Sequence, residues 1–205
     1  MNAALGLWAE TRGGRATLIN HSENHTFRIE LPDGRRYALR VHRPGYQSAR
    51  AIESELEWVL ALRGEGALPV PRPIAGRDGK LLQSIVLSGI PRYAVLFDFE
   101  AGAEPSPGDD LGGLFVVLGR LAGLAHEHAA RFAPSPGFTR QVWNAAAILD
   151  PGGIWGDWRS APQVEGAVAR TLEMLDARLR ADLAAYGEGP DRFGLIHADM
   201  RLANL

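Results

Sequence analysis

A chain of 205 residues, 46% of them hydrophobic, is long enough to bury a sizeable core. Its 22 basic and 24 acidic side chains leave a formal charge of −2, which makes no electrostatic case for a nucleic-acid partner. The lack of cysteine excludes disulfides, thiol nucleophiles and thiolate metal sites, and no stretch has the form of a signal peptide or the length of a membrane span. The expectation is a soluble, cytoplasmic protein without a membrane partner.

The first informative stretch is Asn20-His-Ser-Glu-Asn-His25, a polar loop that leads straight into a strand. It has no glycine to bring backbone N–H groups against phosphate, but Ser22 and Asn24 carry short hydroxyl and amide groups able to serve instead. His21 and His25 read as loop surface. Thr26–Leu31 and Arg36–His42 then alternate apolar and polar residues around Pro32-Asp-Gly-Arg35, the pattern of a β-hairpin. Phe27, Ile29 and Leu31 share one face, as do Tyr37, Leu39 and Val41, so Ala38 and Arg40 point the other way. Tyr37-Ala-Leu-Arg40 has the form of the V-A-I-K strand of protein kinases, in which the cation pairs with phosphate oxygens. Arginine in place of lysine keeps the charge and substitutes a planar fork for a point charge.

Residues 48–63 read as a helix whose apolar arc comprises Ile52, Leu56, Val59, Leu60 and Leu62. Glu55 falls inside that arc, Glu53 at its edge and Glu57 outside it. A carboxylate on an inward face is costly to bury unless it is paired, and Arg40 is the natural partner. Further on, Arg92–Phe99 reads as a buried strand running into Glu100-Ala-Gly102 and the Pro/Gly-rich segment ending at Gly108, where a lobe boundary is expected. There the backbone of Phe97, Asp98 and Phe99 would meet an adenine edge, with a strand-end cap as the other use of Asp98.

Two long amphipathic helices follow. Leu111, Leu114, Phe115, Leu118, Leu121 and Leu124 trace one stripe within 111–131, and Val164, Val168, Leu172, Leu175, Leu179 and Leu183 trace another within 163–186; both are expected to be core. Ala125-His-Glu-His128 is not a chelating pair, because residues two apart on a helix face different ways. Between the helices, Trp143, Trp155 and Trp158 either line a pocket or pin a long insertion, and Asp109, Asp110 and Asp157 form no convincing acidic cluster. Phe193–Ile196 reads as a short buried strand leading into His197-Ala-Asp-Met-Arg-Leu-Ala-Asn204, which has the spacing H-x-D-x-x-x-x-N. That spacing suits phosphoryl transfer: Asp199 can take the proton of an attacking hydroxyl, and Asn204 can offer magnesium a hard oxygen.

Taken in chain order, these parts resemble the aminoglycoside phosphotransferase and choline kinase superfamily, nearest homoserine kinase type II and the RdoA-type stress-response kinases. The carriers are Ser22–Phe27, Tyr37–Val41, Glu55–Trp58, Leu68–Pro73, Ala94–Phe99 with Gly102, Leu118–Ala122 with His126, and above all His197–Asn204. The resemblance implies an α+β, protein-kinase-like fold. Its N-terminal lobe, residues 1–102, would be an antiparallel sheet with one helix, and residues 103–205 would form an incomplete, mainly helical lobe. It further implies ATP and Mg2+ as cofactors, Asp199 as catalytic base, His197 as a brace, Asn204 as metal ligand, and Arg40 held by Glu55 as the phosphate cation. Ser22, Asn24, Ala38, Phe97, Asp98 and Phe99 would line the nucleotide site. A second metal carboxylate is expected after the Asn, so the sequence is read as the front of a longer protein. The expected activity is phosphorylation of a small molecule's hydroxyl; the alternatives are an RdoA-like Ser/Thr protein kinase and a non-catalytic nucleotide-binding or interaction module.

Overall fold

The N-terminal half is organised around the Asp33-Gly34 turn. In the computed structural model, which describes residues 2–103, 105–106 and 108–200, the first elements are α1 (Asn2–Leu5), β1 (Arg15–His21), β2 (Asn24–Glu30) and β3 (Arg36–His42). They continue with α2 (Ala49–Gly64), β4 (Pro73–Ile74), β5 (Gln83–Leu87) and β6 (Ile90–Asp98). The remainder holds α3 (Leu111–Arg131), α4 (Ala145–Leu149), a 3-10 turn at Trp158–Ser160 and α5 (Gly166–Tyr186). Gly34 takes φ +85°, a left-handed conformation that favours glycine, and the Leu31 N–H donates across the turn to the Arg35 carbonyl at 2.9 Å. One antiparallel sheet results, in the order β1-β2-β3-β6-β4, with β5 also on β6. Residues through Arg140, joined by the segment from Ile196, make one compact unit, and Gln141–Leu195 make a second.

Register decides the two faces of the sheet. Phe27 lies opposite Leu39 and Ile29 opposite Tyr37, while Leu39 lies opposite Leu96 and Val41 opposite Ala94. These residues stack into a core closed by Leu5 and by Trp8, whose ring is wholly buried and whose Nε1 donates to the Ile74 carbonyl at 3.1 Å. The opposite face receives α2, with Ile52 and Leu56 packed on Val95 and backed by Tyr93 and Phe97. Ser48 caps that helix by accepting from the Ala51 N–H at 3.1 Å.

Several expectations fail for a common reason, that local pattern shows a face and not what covers it. Leu60 is 45% exposed although it belongs to the apolar arc of α2. In α3 only Leu118, Ala125 and His128 are buried, and Phe115 is 48% exposed. In α5 only Asp176 is buried, whereas Val168, Leu175, Leu179 and Leu183 are exposed. That helix also starts later than its periodicity implies, since Gln163 has φ +67° and lies outside it. Phe193–Ile196 is not a strand: none of the described strands pairs with it, and both Phe193 and Ile196 are exposed. β1, by contrast, was not anticipated, because a register shift between Leu18 and Asn20 breaks its alternation.

The second unit is pinned by Asp176 of α5. Its carboxylate accepts from Arg180 Nε at 2.5 Å, Arg159 Nη2 at 3.0 Å and Trp158 Nε1 at 3.2 Å, and Arg180 reaches on to Asp150 at 2.7 Å. Trp143 and Trp155 meet edge to face, 5.7 Å between centroids. Trp158 therefore serves as a pin. Asp110 and Asp157 accept from the first turns of α3 and the 3-10 turn, and Asp109 accepts from the Ser106 N–H, so all three close local turns.

Candidate functional site

The pairing Thr26 opposite Arg40 and Asn24 opposite His42 puts Asn24, Thr26, Ala38, Arg40 and His42 on the face of the sheet that carries α2. Val95 and Phe97, opposite Arg40 and Ala38, complete it. Arg40 leaves the strand with its guanidinium 5.1 Å from the Phe97 ring centroid, and its Nη2 donates to Glu55 Oε1. Both side chains are about one quarter exposed, 26% and 25%. The strand and helix faces assigned to Arg40 and Glu55 from periodicity thus bring the two together.

A second arginine shares the carboxylate. Arg140 Nη2 stands 3.3 Å from Glu55 Oε2, and its Nη1 donates at 2.7 Å to the carbonyl of Ala51, one turn earlier on α2. Burial alone would raise the Glu55 carboxyl, but Arg40 and Arg140 outweigh it and hold the group below its ordinary range. His42 experiences the reverse field. Burial first, then the charge of Arg40, lowers its imidazole from 6.5 to about 4, so it is neutral at physiological pH.

Three polar atoms on this face, Asn24 Oδ1, Arg40 Nε and His42 Nε2, are buried without a hydrogen-bond partner among the described residues. Buried polar groups are rarely left so, and an unsatisfied set on one face marks a place where a polar ligand would supply the missing bonds. Ala38, between Tyr37 and Leu39, keeps the neighbouring surface low. Phe97 presents its ring there, but Asp98 lies opposite Tyr37, on the other side of the sheet. The Asp98 carboxylate accepts a two-pronged bond from Arg72, 2.8 and 3.0 Å, which is the strand-end anchoring use. Phe99, just past the strand, lies under Arg36 at 4.8 Å. Ser22 sits exposed in the turn between β1 and β2, its N–H donating to the Asn24 carbonyl.

His197 and Asp199 lie close together in an exposed segment. The Asp199 N–H donates to His197 Nδ1 at 3.3 Å, and Ala198 between them has φ +65°, a conformation that costs a non-glycine residue energy. Asn204 falls outside the described residues.

Three participants escaped the sequence reading. His42 was recoverable, since it continues the parity of Ala38 and Arg40. Arg140 and Arg72 carried no local signal, because Arg140 is 85 residues from Glu55 and Arg72 is 26 from Asp98. Among the described residues there is also an open depression of about 430 Å3 lined by His21, Ser22, Glu23, His25, Arg43, Pro44 and Arg92, so Ser22 belongs to its rim. Register assigns His25 and Arg92 to the face opposite Arg40, so this depression is separate from the Arg40 face.

Comparison with known proteins agrees with the architecture. The structure of a microcompartment-associated aminopropanol kinase superposes with a TM-score of 0.87 at 37% identity, over 100% of this chain and 62% of that one. An amicoumacin kinase, solved with AMP-PNP, Ca2+ and Ami, gives a TM-score of 0.70 at 21% identity, covering 97% of this chain and 56% of that one. A spectinomycin phosphotransferase, solved with ADP and its antibiotic, gives 0.53 at 14%, over 92% and 58%. The chain thus spans less than two thirds of each of these proteins, and the last two speak to fold alone. No curated protein sequence gives a significant match. The expected α+β, protein-kinase-like fold is the observed one. Since the profile of the phosphotransferase enzyme family matches residues 15–205, nearly the whole sequence, the chain belongs to that family.

Proposed function

We propose that the protein carrying this chain is an ATP- and Mg2+-dependent phosphotransferase acting on a hydroxyl of a small molecule, with an amino alcohol as the first acceptor class to try. The observation that carries this reading is the Arg40–Glu55 ion pair, set on a sheet face that also holds unsatisfied polar atoms. A cation held by a carboxylate is what phosphate positioning in this chemistry needs. The unpaired Nε of Arg40 gives that cation a free donor for a phosphate oxygen, so the residues present fit the group.

In this reading Arg40 binds phosphate oxygens while Glu55 fixes its direction, and Ala38 and Phe97 border the base. Asn204 would hold Mg2+ through its side-chain oxygen. Bound MgATP supplies the phosphoryl group and neutralises its charge. Asp199 would orient the acceptor hydroxyl and take its proton as the O–P bond to the acceptor forms and the bond to the departing ADP breaks. His197 holds the Asp199 amide and does not react. The 37% identity with the aminopropanol kinase over the full length of this chain supports trying an amino alcohol first. The names of the three solved structures compared above refer to small molecules, which favours a small-molecule acceptor over a protein Ser/Thr.

The test is phosphoryl transfer from γ-labelled ATP, with Mg2+, to a panel of amino alcohols, sugars and a protein substrate. Label on an amino alcohol, lost in Asp199→Asn, is the expected result. Label on no small molecule, with ATP affinity unaffected by Arg40→Ala, would refute the reading.

A further inference from the structure

The segment after α3 is fastened along α2 at successive turns. Ser135 donates through its N–H and its hydroxyl to the two oxygens of Glu57, at 2.6 and 2.7 Å. Arg50 donates to the carbonyls of Pro136 and Gly137, both at 2.8 Å. The Thr139 N–H donates to Ser54 Oγ at 3.0 Å, and Arg140 takes the Ala51 carbonyl and Glu55. Trp58 of α2 adds a bond from its Nε1 to Nδ1 of the fully buried His128, 3.1 Å. The other ring nitrogen, Nε2, lies 3.3 Å from Glu65 Oε1.

This belt ends on the residue that holds Arg40. Each oxygen of Glu55 is assigned to a different arginine, Oε1 to Arg40 and Oε2 to Arg140, so the two cations do not compete for one atom. A carboxylate held only by Arg40 could swing with it. Gripped from its other side by a guanidinium that is also bonded to the Ala51 carbonyl, it has its rotamer set by the helix backbone.

We propose that Arg140 is a positioning residue for phosphate binding: through Glu55, and as the last link of the belt from Ser135, it fixes the direction in which Arg40 presents its guanidinium. The proposal rests on the reading of Arg40 as the phosphate-binding cation. It predicts that α2 and its carboxylate are held by the segment following α3 and not by sheet packing alone.

The test compares affinities for a magnesium-bound, non-hydrolysable ATP analogue and for adenosine in the protein carrying this chain. The variants are Arg140→Ala, Arg140→Lys, Arg40→Ala and the double Arg40→Ala/Arg140→Ala. Arg140→Ala is expected to weaken the analogue about tenfold with adenosine unchanged, a coupling of ordinary size for residues sharing one network. Arg140→Lys should recover part of the loss, and in the Arg40→Ala background the second substitution should have little further effect. Equal weakening of analogue and adenosine would make Arg140 a mere fold support, and additive losses would mean that it does not act through Arg40; either overturns the proposal. If Arg140→Ala binds the analogue normally while Arg40→Ala is impaired, the proposal falls and the phosphate reading stands. If Arg40→Ala itself binds normally, that reading fails and the proposal falls with it.

Discussion

Acid is expected to destabilise the N-terminal unit through His42 before most carboxylates protonate. The imidazole is 4% exposed, and burial first, with Arg40 and Arg140 behind it and Glu55 opposing, carries it from 6.5 down to about 4. The unfolded chain takes up this proton near the ordinary value and the folded chain only near the lowered one, so the unfolded state binds more protons throughout that window. Stability is therefore full above about pH 6.5, falls as the pH drops toward about 4, and levels off below. At about 1.4 kcal/mol for each tenfold change in proton affinity, the loss comes to about 3 kcal/mol. That is a substantial fraction of a typical domain's margin, about 5–15 kcal/mol. Urea midpoints of the unchanged protein and of His42→Gln, followed across this range, would show a steep segment in the former that is missing from the latter. An NMR titration of the imidazole reads the same quantity directly. A His42 that titrates near 6.5, or equal slopes for the two proteins, would refute the argument that burial and Arg40 keep it neutral.

Glu55→Gln should cost about 2 kcal/mol, less than the loss of a fully buried pair because both partners keep some solvent. Since the carboxyl is held below its ordinary 4.5, its contribution is present above that value and lost as the pH falls through the lowered one, which acid titration of the variant should show by its absence. Trp8→Phe, which removes the donor to the Ile74 carbonyl, should cost about 1–3 kcal/mol by denaturant unfolding. Leu39→Ala, in the centre of the sheet, should cost about 2–5 kcal/mol, and a value under that range would mean that the sheet core collapses onto the gap. Asp199→Asn should abolish phosphoryl transfer while leaving nucleotide affinity intact; residual transfer at the original rate would remove Asp199 from the role of base.

The hairpin was legible because its signals are local and concordant: strict alternation over Thr26–Leu31 and Tyr37–Val41, and an Asp-Gly pair between them. α2 was legible for the same reason, from its apolar arc, and these two faces together pointed Glu55 at Arg40. β1 was hidden by its bulge at Leu18 and Asn20. The quartet Phe193–Ile196 misled because an apolar run has strand character only where another strand completes its hydrogen bonds, and none of the described strands does so.

What the sequence by itself determined was therefore parity: which residues of a strand or a helix share a side. That information lies within a few neighbouring residues and follows from backbone geometry alone. Tertiary structure decided which of those sides would be covered, and with what. It left the stripe of α3 mostly half-buried and that of α5 largely exposed, buried His128 against Trp58, and brought Arg140 across 85 residues of chain to the far oxygen of Glu55. A side chain's reach extends a few ångströms and its sequence neighbourhood a few residues, so pairings made by the path of the chain between them leave no trace in local pattern.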